Sequence, residues 1–267
     1  MFSIKSLAVL AVAAGLVVAP TATAGSNPKS LAGVSGGDVA PLVFPAVVNV
    51  PFVRTRVALA HAVDYADTAN GDSATLAKAV ASLTVVRNQL KKAWAGEKYL
   101  IDNAPPPPPP GDYVFVSGAP VSTSPFASAE DSGAELFNLY GEVATMAVGL
   151  SDTAKGTLQS ALSTTIFAVL NQRDAAIKYI HDHQPPPPPP DDVVQADASG
   201  APIVAGWSGV MPTVADLLDD EIQQLDAMLD IKTLSSGARR IFNAAELQDT
   251  KTKRTINTWW PPAPPGD

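Results

Sequence analysis

Two nearly identical stretches decide the architecture: Lys98-Tyr99-Leu100-Ile101-Asp102 precedes six prolines at 105–110, and Lys178-Tyr179-Ile180-His181-Asp182 precedes six more at 185–190. A third, imperfect run follows at 261–265. The runs begin at 105, 185 and 261, which are 80 and 76 residues apart. Self-similarity at a nearly fixed interval is typical of chains built from copies of one supersecondary unit. The sequence therefore predicts three repeats, of which the third is the most diverged.

Each predicted repeat contains two segments with the periodicity of a helix. Apolar residues recur there at steps of three and four, as on one face of an amphipathic helix. Glu97 interrupts the second of these rows. The apolar rows run through Phe52, Leu59 and Val63, then Leu83, Val86 and Leu90, in the first repeat; Leu136, Leu139 and Val143, then Leu162, Ile166 and Val169, in the second; and Val214, Leu218 and Leu225, then Phe242, Ala245 and Ile256, in the third.

Local signals mark where these helices begin and end. Asn70-Gly71-Asp72 predicts the turn inside the first hairpin. Capping-box patterns at Ser132–Glu135 and Thr213–Asp216 predict the starts of the first helices of the second and third repeats. Each proline run ends a second helix, because proline lacks the backbone N–H and disfavours helical geometry in the residue before it. The predicted unit is an αα-hairpin.

The fold class predicted is all-α, with three αα-hairpin repeats (about six helices) packed as a bundle or short stack and punctuated by polyproline II runs. A lone hairpin of about 50 residues buries too little surface to be stable, so the hairpins are expected to share one core. Their packing order stays open. The predicted divisions are a signal peptide (1–24), an extended N-terminal segment (25–50), the first hairpin with its proline run (51–110), a linker with the second hairpin and run (111–190), and a linker with the third hairpin and the Pro-rich tail (191–267).

The N-terminus predicts export. Lys5 precedes 13 apolar residues at 7–19, Pro20 ends that stretch, and Ala22-Thr23-Ala24 offers the small-residue pattern of a cleavage site. A stretch of this length is shorter than the roughly 20 residues that span a bilayer. We therefore expect cleavage near Ala24 and a mature protein in the cell envelope or the extracellular space, with no transmembrane segment.

The composition of the chain limits the kinds of binding site and active site that it can form. The 267 residues carry a formal charge of −8, a pI near 4.8, no cysteine and three histidines. An acidic chain lacks the broad basic face on which nucleic-acid binding depends, so we expect no nucleic-acid partner. Without cysteine there are no disulfides and no thiolate metal sites. No catalytic set and no cofactor are predicted, and stability must come from packing.

The proline runs allow three interpretations. A run in polyproline II geometry is a stiff spacer, a ligand for an aromatic groove on a partner, or part of an intramolecular clasp. The clasp would be formed with the aromatic residues that precede each run. Trp94 and Tyr99 precede the first run, Tyr179 the second, and Trp259-Trp260 the third.

Two further groups of side chains are candidate sites. His181 and His183 are weak candidates for a metal site, although positions i and i+2 do not share a face of a continuous helix. A basic and aromatic set is a possible interaction surface; it consists of Arg239, Arg240, Lys251, Lys253, Arg254, Trp259 and Trp260. Cations near a helix C-terminus are also favoured by the helix dipole, which leaves a purely structural role open.

The sequence thus favours a secreted, non-enzymatic helical-repeat protein with a structural or protein-interaction role. Its expected partner is an envelope or extracellular protein whose identity the sequence does not reveal. The alternative is an exported carrier of a small apolar ligand held between hairpins. A large enclosed cavity would favour the carrier, whereas a filled core would favour the structural role.

Overall fold

A computed structural model describes residues 44–103, 129–151, 154–183, 195–196, 202–203 and 207–261. Six α-helices occupy this part of the chain, and the all-α prediction is confirmed. A two-residue antiparallel pair, β1 (Gln195–Ala196) with β2 (Pro202–Ile203), lies between α4 and α5. The helices are α1 (Ala46–Thr68), α2 (Ser73–Asp102), α3 (Ala129–Ser151), α4 (Gly156–His183), α5 (Trp207–Leu229) and α6 (Ser236–Trp259).

Several predicted features lie outside the described residues. These are the signal peptide, the first two proline runs and all of the third run except Pro261. What the sequence predicts for them stays a prediction.

Consecutive helices pair into the three predicted hairpins, α1 with α2, α3 with α4 and α5 with α6. The turn of the first hairpin is where the sequence placed it. Asn70 and Gly71 have φ of 43° and 88°, the left-handed region that Asn and Gly tolerate best. Asp72 then caps α2, accepting a hydrogen bond of 2.9 Å from the backbone N–H of Thr75. The second helices α2, α4 and α6 end just before their proline runs, as expected.

The starts of two first helices were predicted wrongly. Ser132 is not a cap but lies inside α3, where it is buried and its hydroxyl donates to Glu97. Helix α5 begins at Trp207, ahead of Thr213, and carries Pro212 as its sixth residue. Trp207 is buried in the shared core, and that burial outweighs the one helical hydrogen bond that Pro212 removes.

Helix α1 likewise extends into the segment predicted to be extended. It begins at Ala46 and carries Pro51 as its sixth residue. Val48 and Phe52 in its first two turns are buried in the core. Apolar burial therefore sets this helix start as well, and a local capping signal is not needed.

The hairpins form two layers, with α2, α4 and α6 in one and α1, α3 and α5 in the other. Arg87 of α2 donates to Thr165 of α4 at 2.8 Å, and further along both helices Gln172 donates to the Leu90 carbonyl oxygen at 2.8 Å. Both pairings advance in the same direction, so α2 and α4 run parallel. Thr252 of α6 donates to Asp174 of α4 at 2.6 Å, and one turn earlier on both helices Gln248 donates to Asn171 at 3.1 Å, so α6 also runs parallel to α4. Hairpin 2 therefore lies between hairpins 1 and 3.

Hydrogen-bonded partners in neighbouring second helices are separated by 74 to 82 residues in sequence. This interval is close to the 80 and 76 residues between the proline runs. Corresponding positions of successive hairpins thus contact each other, which is the arrangement that stacked repeats would have.

Apolar side chains of all three hairpins join in one core. Charged side chains link the hairpins as well. Arg56 of α1 pairs with Glu135 and Glu142 of α3 at 2.6 Å and 2.9 Å. Arg173 of α4 is only 2% exposed and pairs with Glu221 of α5 at 2.8 Å and with Asp249 of α6.

The buried charges around Arg173 shift each other's pKa values. Burial alone would lower the pKa of Arg173, but the carboxylates of Glu221 and Asp249 raise it above its ordinary value, so the guanidinium keeps its proton. Burial and the nearby Glu221 carboxylate raise the pKa of Asp249 above its ordinary value, and the attraction of Arg173 opposes this. Arg173 is therefore a buried cation that pairs with the carboxyl groups of Glu221 and Asp249.

Helices α1 and α2 approach so closely at Gly96 that no other residue fits without movement. A Cβ at Gly96 would lie 2.6 Å from the backbone oxygen of Val47. That carbonyl has no partner N–H four residues later, because residue 51 is proline. Glycine is required here by contact with rigid backbone.

We expect Gly96→Ala to lower the free energy of unfolding by about 1–3 kcal/mol, because the helices must separate. Ala95, the exposed neighbour, supplies the control: Ala95→Ser is expected to change it by less than about 0.5 kcal/mol. Urea denaturation followed by circular dichroism measures both variants. Equal stability of Gly96→Ala and wild type would contradict the close approach.

Candidate functional site

The parallel second helices bring their C-terminal halves together, and aromatic side chains form two stacks there, one toward hairpin 1 and one toward hairpin 3. We call this set the aromatic end. Its members precede the three proline runs in sequence. The aromatic end consists of Trp94 of α2, Tyr179, His181 and His183 of α4, Trp259 of α6, and Trp260, which follows α6.

On the side of hairpin 1, Tyr179 is the central ring. Its edge meets Trp94 with ring centroids 5.6 Å apart, and His183 stacks on it at 3.8 Å. The ammonium of Lys98 lies 4.5 Å from the centre of the Tyr179 ring, a cation–π distance. The Tyr179 hydroxyl donates to Asp102, and this hydrogen bond raises the pKa of Tyr179 to about 12.

On the side of hairpin 3, His181 is the central ring. It stacks on Trp259 at 4.0 Å, and its edge meets Trp260 at 5.6 Å. Trp260 is buried, whereas His181 and Trp259 are half-buried. His181 and Trp259 therefore combine a packed ring with an accessible surface.

The two histidines predicted as metal ligands enter separate stacks. His181 packs on the indoles of α6, and His183 packs on Tyr179, whose carbonyl oxygen lies 2.8 Å from His183 Nδ1. Within the described ranges, no group of three or more His, Asp or Glu side chains is placed to hold a metal ion.

The structure divides the basic set into two parts. Arg239 donates to the carbonyl oxygens of Leu229 and Ile231 at 2.7 Å and 3.1 Å, and so satisfies the end of α5. Lys253 pairs with Asp219. The remaining cations, which are Arg240, Lys251 and Arg254, are exposed on α6. Trp259 and Trp260 belong to the aromatic end.

Two of the predicted clasp residues, Trp94 and Tyr179, contact each other. The third, Tyr99, is more exposed than either of them. Tyr99 is 59% exposed, while Trp94 and Tyr179 are half-buried. The first two proline runs lie outside the described residues, so the clasp stays a prediction.

Two cavities bear on the carrier hypothesis. A cavity of about 30 Å³ lies between hairpins 2 and 3, beside Glu221 and Asp249. That volume matches a single water molecule. An open depression of about 470 Å³ lies between the first turns of α4 and α6, and Phe167, Ile241 and Arg240 line it.

The partners of the most completely buried charged side chains were not predicted from the sequence. Glu97, Arg173 and Asp249 are each 2% exposed or less. A signal was present, because each occupies a core position in the apolar row of its helix. The interruption at Glu97 was visible, but the partner of a buried charge is not encoded locally.

None of the helices in the described ranges is both long enough and apolar enough to cross a membrane. The chain matches no protein-family model, no curated protein and no solved structure.

Proposed function

We propose that the protein is an exported, non-enzymatic helical protein with a structural or protein-interaction role in the cell envelope or the extracellular space. The observation that carries this proposal is the small volume of the cavity that lies in the core between hairpins 2 and 3. The cavity of about 30 Å³ between hairpins 2 and 3 has room for one water, whereas pockets for small ligands measure about 300–1,000 Å³. Helices packed this closely suit a rigid scaffold that presents surfaces.

The aromatic end is the surface that supports an interaction role best. Half-buried rings offer flat apolar faces whose orientation is set by stacking, so little side-chain entropy is lost on binding. Proline rings pack well on such faces, and proline-rich segments in polyproline II geometry use aromatic surfaces as their docking sites. The partner we propose is therefore an extended, proline-rich segment of an envelope or extracellular protein.

A second candidate function, the carrier, is favoured by one observation. The depression of about 470 Å³ lies between hairpins 2 and 3, and it has Phe167 and Ile241 on its walls. Its volume suits a small ligand. Its wide opening and the polar residues Gln159, Ser160 and Ser163 make it a weaker match for an apolar cargo.

Native mass spectrometry of the protein purified from a secreting host separates the two functions. We expect the bare protein mass, because the cavity in the core between hairpins 2 and 3 is too small for a ligand. A co-purifying small molecule that is lost in Ile241→Asp would overturn this proposal in favour of the carrier.

A peptide of six prolines tests the aromatic end directly. We expect it to change the tryptophan fluorescence of the wild type and to have no effect on the double variant His181→Ala/Trp259→Ala. Leu247→Ala, at an exposed position of α6, serves as the matched control and should behave as wild type. An unchanged fluorescence signal in the wild type would contradict binding of proline-rich segments at this surface.

A further inference from the structure

A carboxyl group is buried where side chains of all three hairpins meet. Glu97 of α2 is 0% exposed, and Ser132 of α3 donates to its Oε2 at 2.6 Å. Gly133 of α3 lies beside it: a Cβ there would be 3.3 Å from Glu97 Oε1 and 2.2 Å from the ring of Trp207 on α5. The carboxyl and the indole thus both pack close to the position that a Cβ of residue 133 would occupy.

The surroundings of Glu97 disfavour a charge. Its Oε1 atom is buried and has no hydrogen-bond partner among the described residues. The ionisable groups of α3 that face it are Glu130, which has the same sign of charge, and the Tyr140 hydroxyl. Arg173 of α4 acts on Tyr140, but its guanidinium is held by two other carboxylates.

Among the described residues, no cation therefore compensates the negative charge of an ionised Glu97. An ionised oxygen without a partner loses its hydration and gains little in return, whereas the neutral acid loses much less. Burial accordingly raises the pKa of Glu97 to about 8, and the single hydrogen bond from Ser132 opposes this only in part.

We propose that Glu97 is a proton-binding site that couples the docking of the three hairpins to pH. With the proton bound, the neutral carboxyl allows α2, α3 and the indole of Trp207 to close over it. When the proton leaves, the carboxylate must be hydrated, and water can reach it only if the contact between Gly133 and Trp207 loosens. The site thus binds a proton, and the part of the structure that responds is the contact of α2, α3 and Trp207 around Glu97.

The direction of the pH effect follows from linkage. The carboxyl has a pKa near its ordinary 4.5 in the unfolded chain and about 8 in the folded protein. Between these values the folded state holds a proton that the unfolded state has lost, so stability falls as pH rises from about 4.5 to about 8. Each pKa unit changes the unfolding equilibrium about tenfold, so the full effect on that equilibrium is about three to four orders of magnitude.

Glu97→Gln tests the site, because glutamine has the shape of the protonated acid and does not titrate. We expect the melting temperature of the wild type to fall between pH 5 and pH 9 more steeply than that of the variant. The two curves should cross, with the variant the more stable protein at pH 9. Asp226→Asn, at an exposed position of α5, is the control and should follow the wild-type curve. Parallel curves for wild type and Glu97→Gln would overturn the proposal.

An NMR titration of glutamate side-chain carboxyl carbons in the wild type needs no folded variant. We expect one of these resonances to titrate near pH 8, well above the range in which a glutamate carboxyl ordinarily titrates. If every glutamate titrates below pH 6, Glu97 is not a proton-binding site, whatever the melting curves show. Where Glu97→Gln folds, the absence of the resonance from its spectrum assigns it.

Discussion

Replacing Arg173 by methionine is expected to lower the free energy of unfolding by about 3–5 kcal/mol. Methionine fills a similar volume but leaves the carboxylates of Glu221 and Asp249 buried without their cation. The loss of a partner for a buried charge costs far more than the loss of an exposed ion pair. Urea denaturation at pH 7 measures the difference.

The matched control for Arg173→Met is Arg254→Met, which removes an exposed cation of α6 and should change stability by no more than about 0.5 kcal/mol. Adding Glu221→Gln and Asp249→Asn to Arg173→Met should restore part of the loss, because neutral amides are cheaper to bury than carboxylates. A cost of less than about 1 kcal/mol for Arg173→Met would contradict this prediction, because it would mean that water or a proton neutralises the effect of burying these carboxyl groups.

Leu139→Ala is expected to cost about 2–5 kcal/mol. Leu139 is fully buried in α3, the first helix of the hairpin that lies between the other two. The neighbours of a truncated side chain in this position belong to packed helices and relax only in part, so a cavity remains. Guanidinium denaturation followed by circular dichroism measures the loss.

Leu247→Ala removes the same atoms at a position that is 71% exposed, and it should be close to neutral. Tryptophan fluorescence adds a second criterion, because Trp94 reports on hairpin 1 and Trp207 on hairpin 3. One shared core requires that fluorescence and circular dichroism give the same transition midpoint in the wild type. Separate midpoints would mean that the hairpins unfold independently and would argue against a common core.

The packed core and the aromatic end depend on the same arrangement of helices. The hairpins hold each other through apolar packing and through the Arg56 and Arg173 pairs. The second helices then present His181 and Trp259 at the edge where the third proline run begins. Stability and the proposed interaction surface thus rest on the same parallel arrangement of α2, α4 and α6.

The sequence predicted single residues of the aromatic end but not the contacts between them. Trp94, Tyr179 and Trp259 were each visible before a proline run. The stacking of His181 on Trp259 was not, because these residues meet only when α4 and α6 lie parallel and in register. Five cations of the third repeat are close together in sequence, but two of them, Arg239 and Lys253, form contacts inside hairpin 3.

The sequence by itself determined the six helices, their pairing and the ends of the second helices. These features depend on short-range properties: the three-to-four periodicity of apolar residues, the Asn70-Gly71 turn, and prolines that lack an N–H. The starts of α1, α3 and α5 did not follow from local capping signals. Burial of Val48 and Trp207 in the core extends α1 and α5 beyond the predicted points.

Only the tertiary structure decided the order in which the hairpins pack and the partners of the buried charged side chains. Glu97, Arg173 and Asp249 each occupy a core position of an apolar row, which marks them as unusual without naming a partner. Arg173 and Asp249 are 76 residues apart in sequence, and Glu97 and Ser132 are 35 apart. Contacts across such separations form only when hairpins dock, because the free energy that brings them together comes from the shared apolar core and not from the charges themselves.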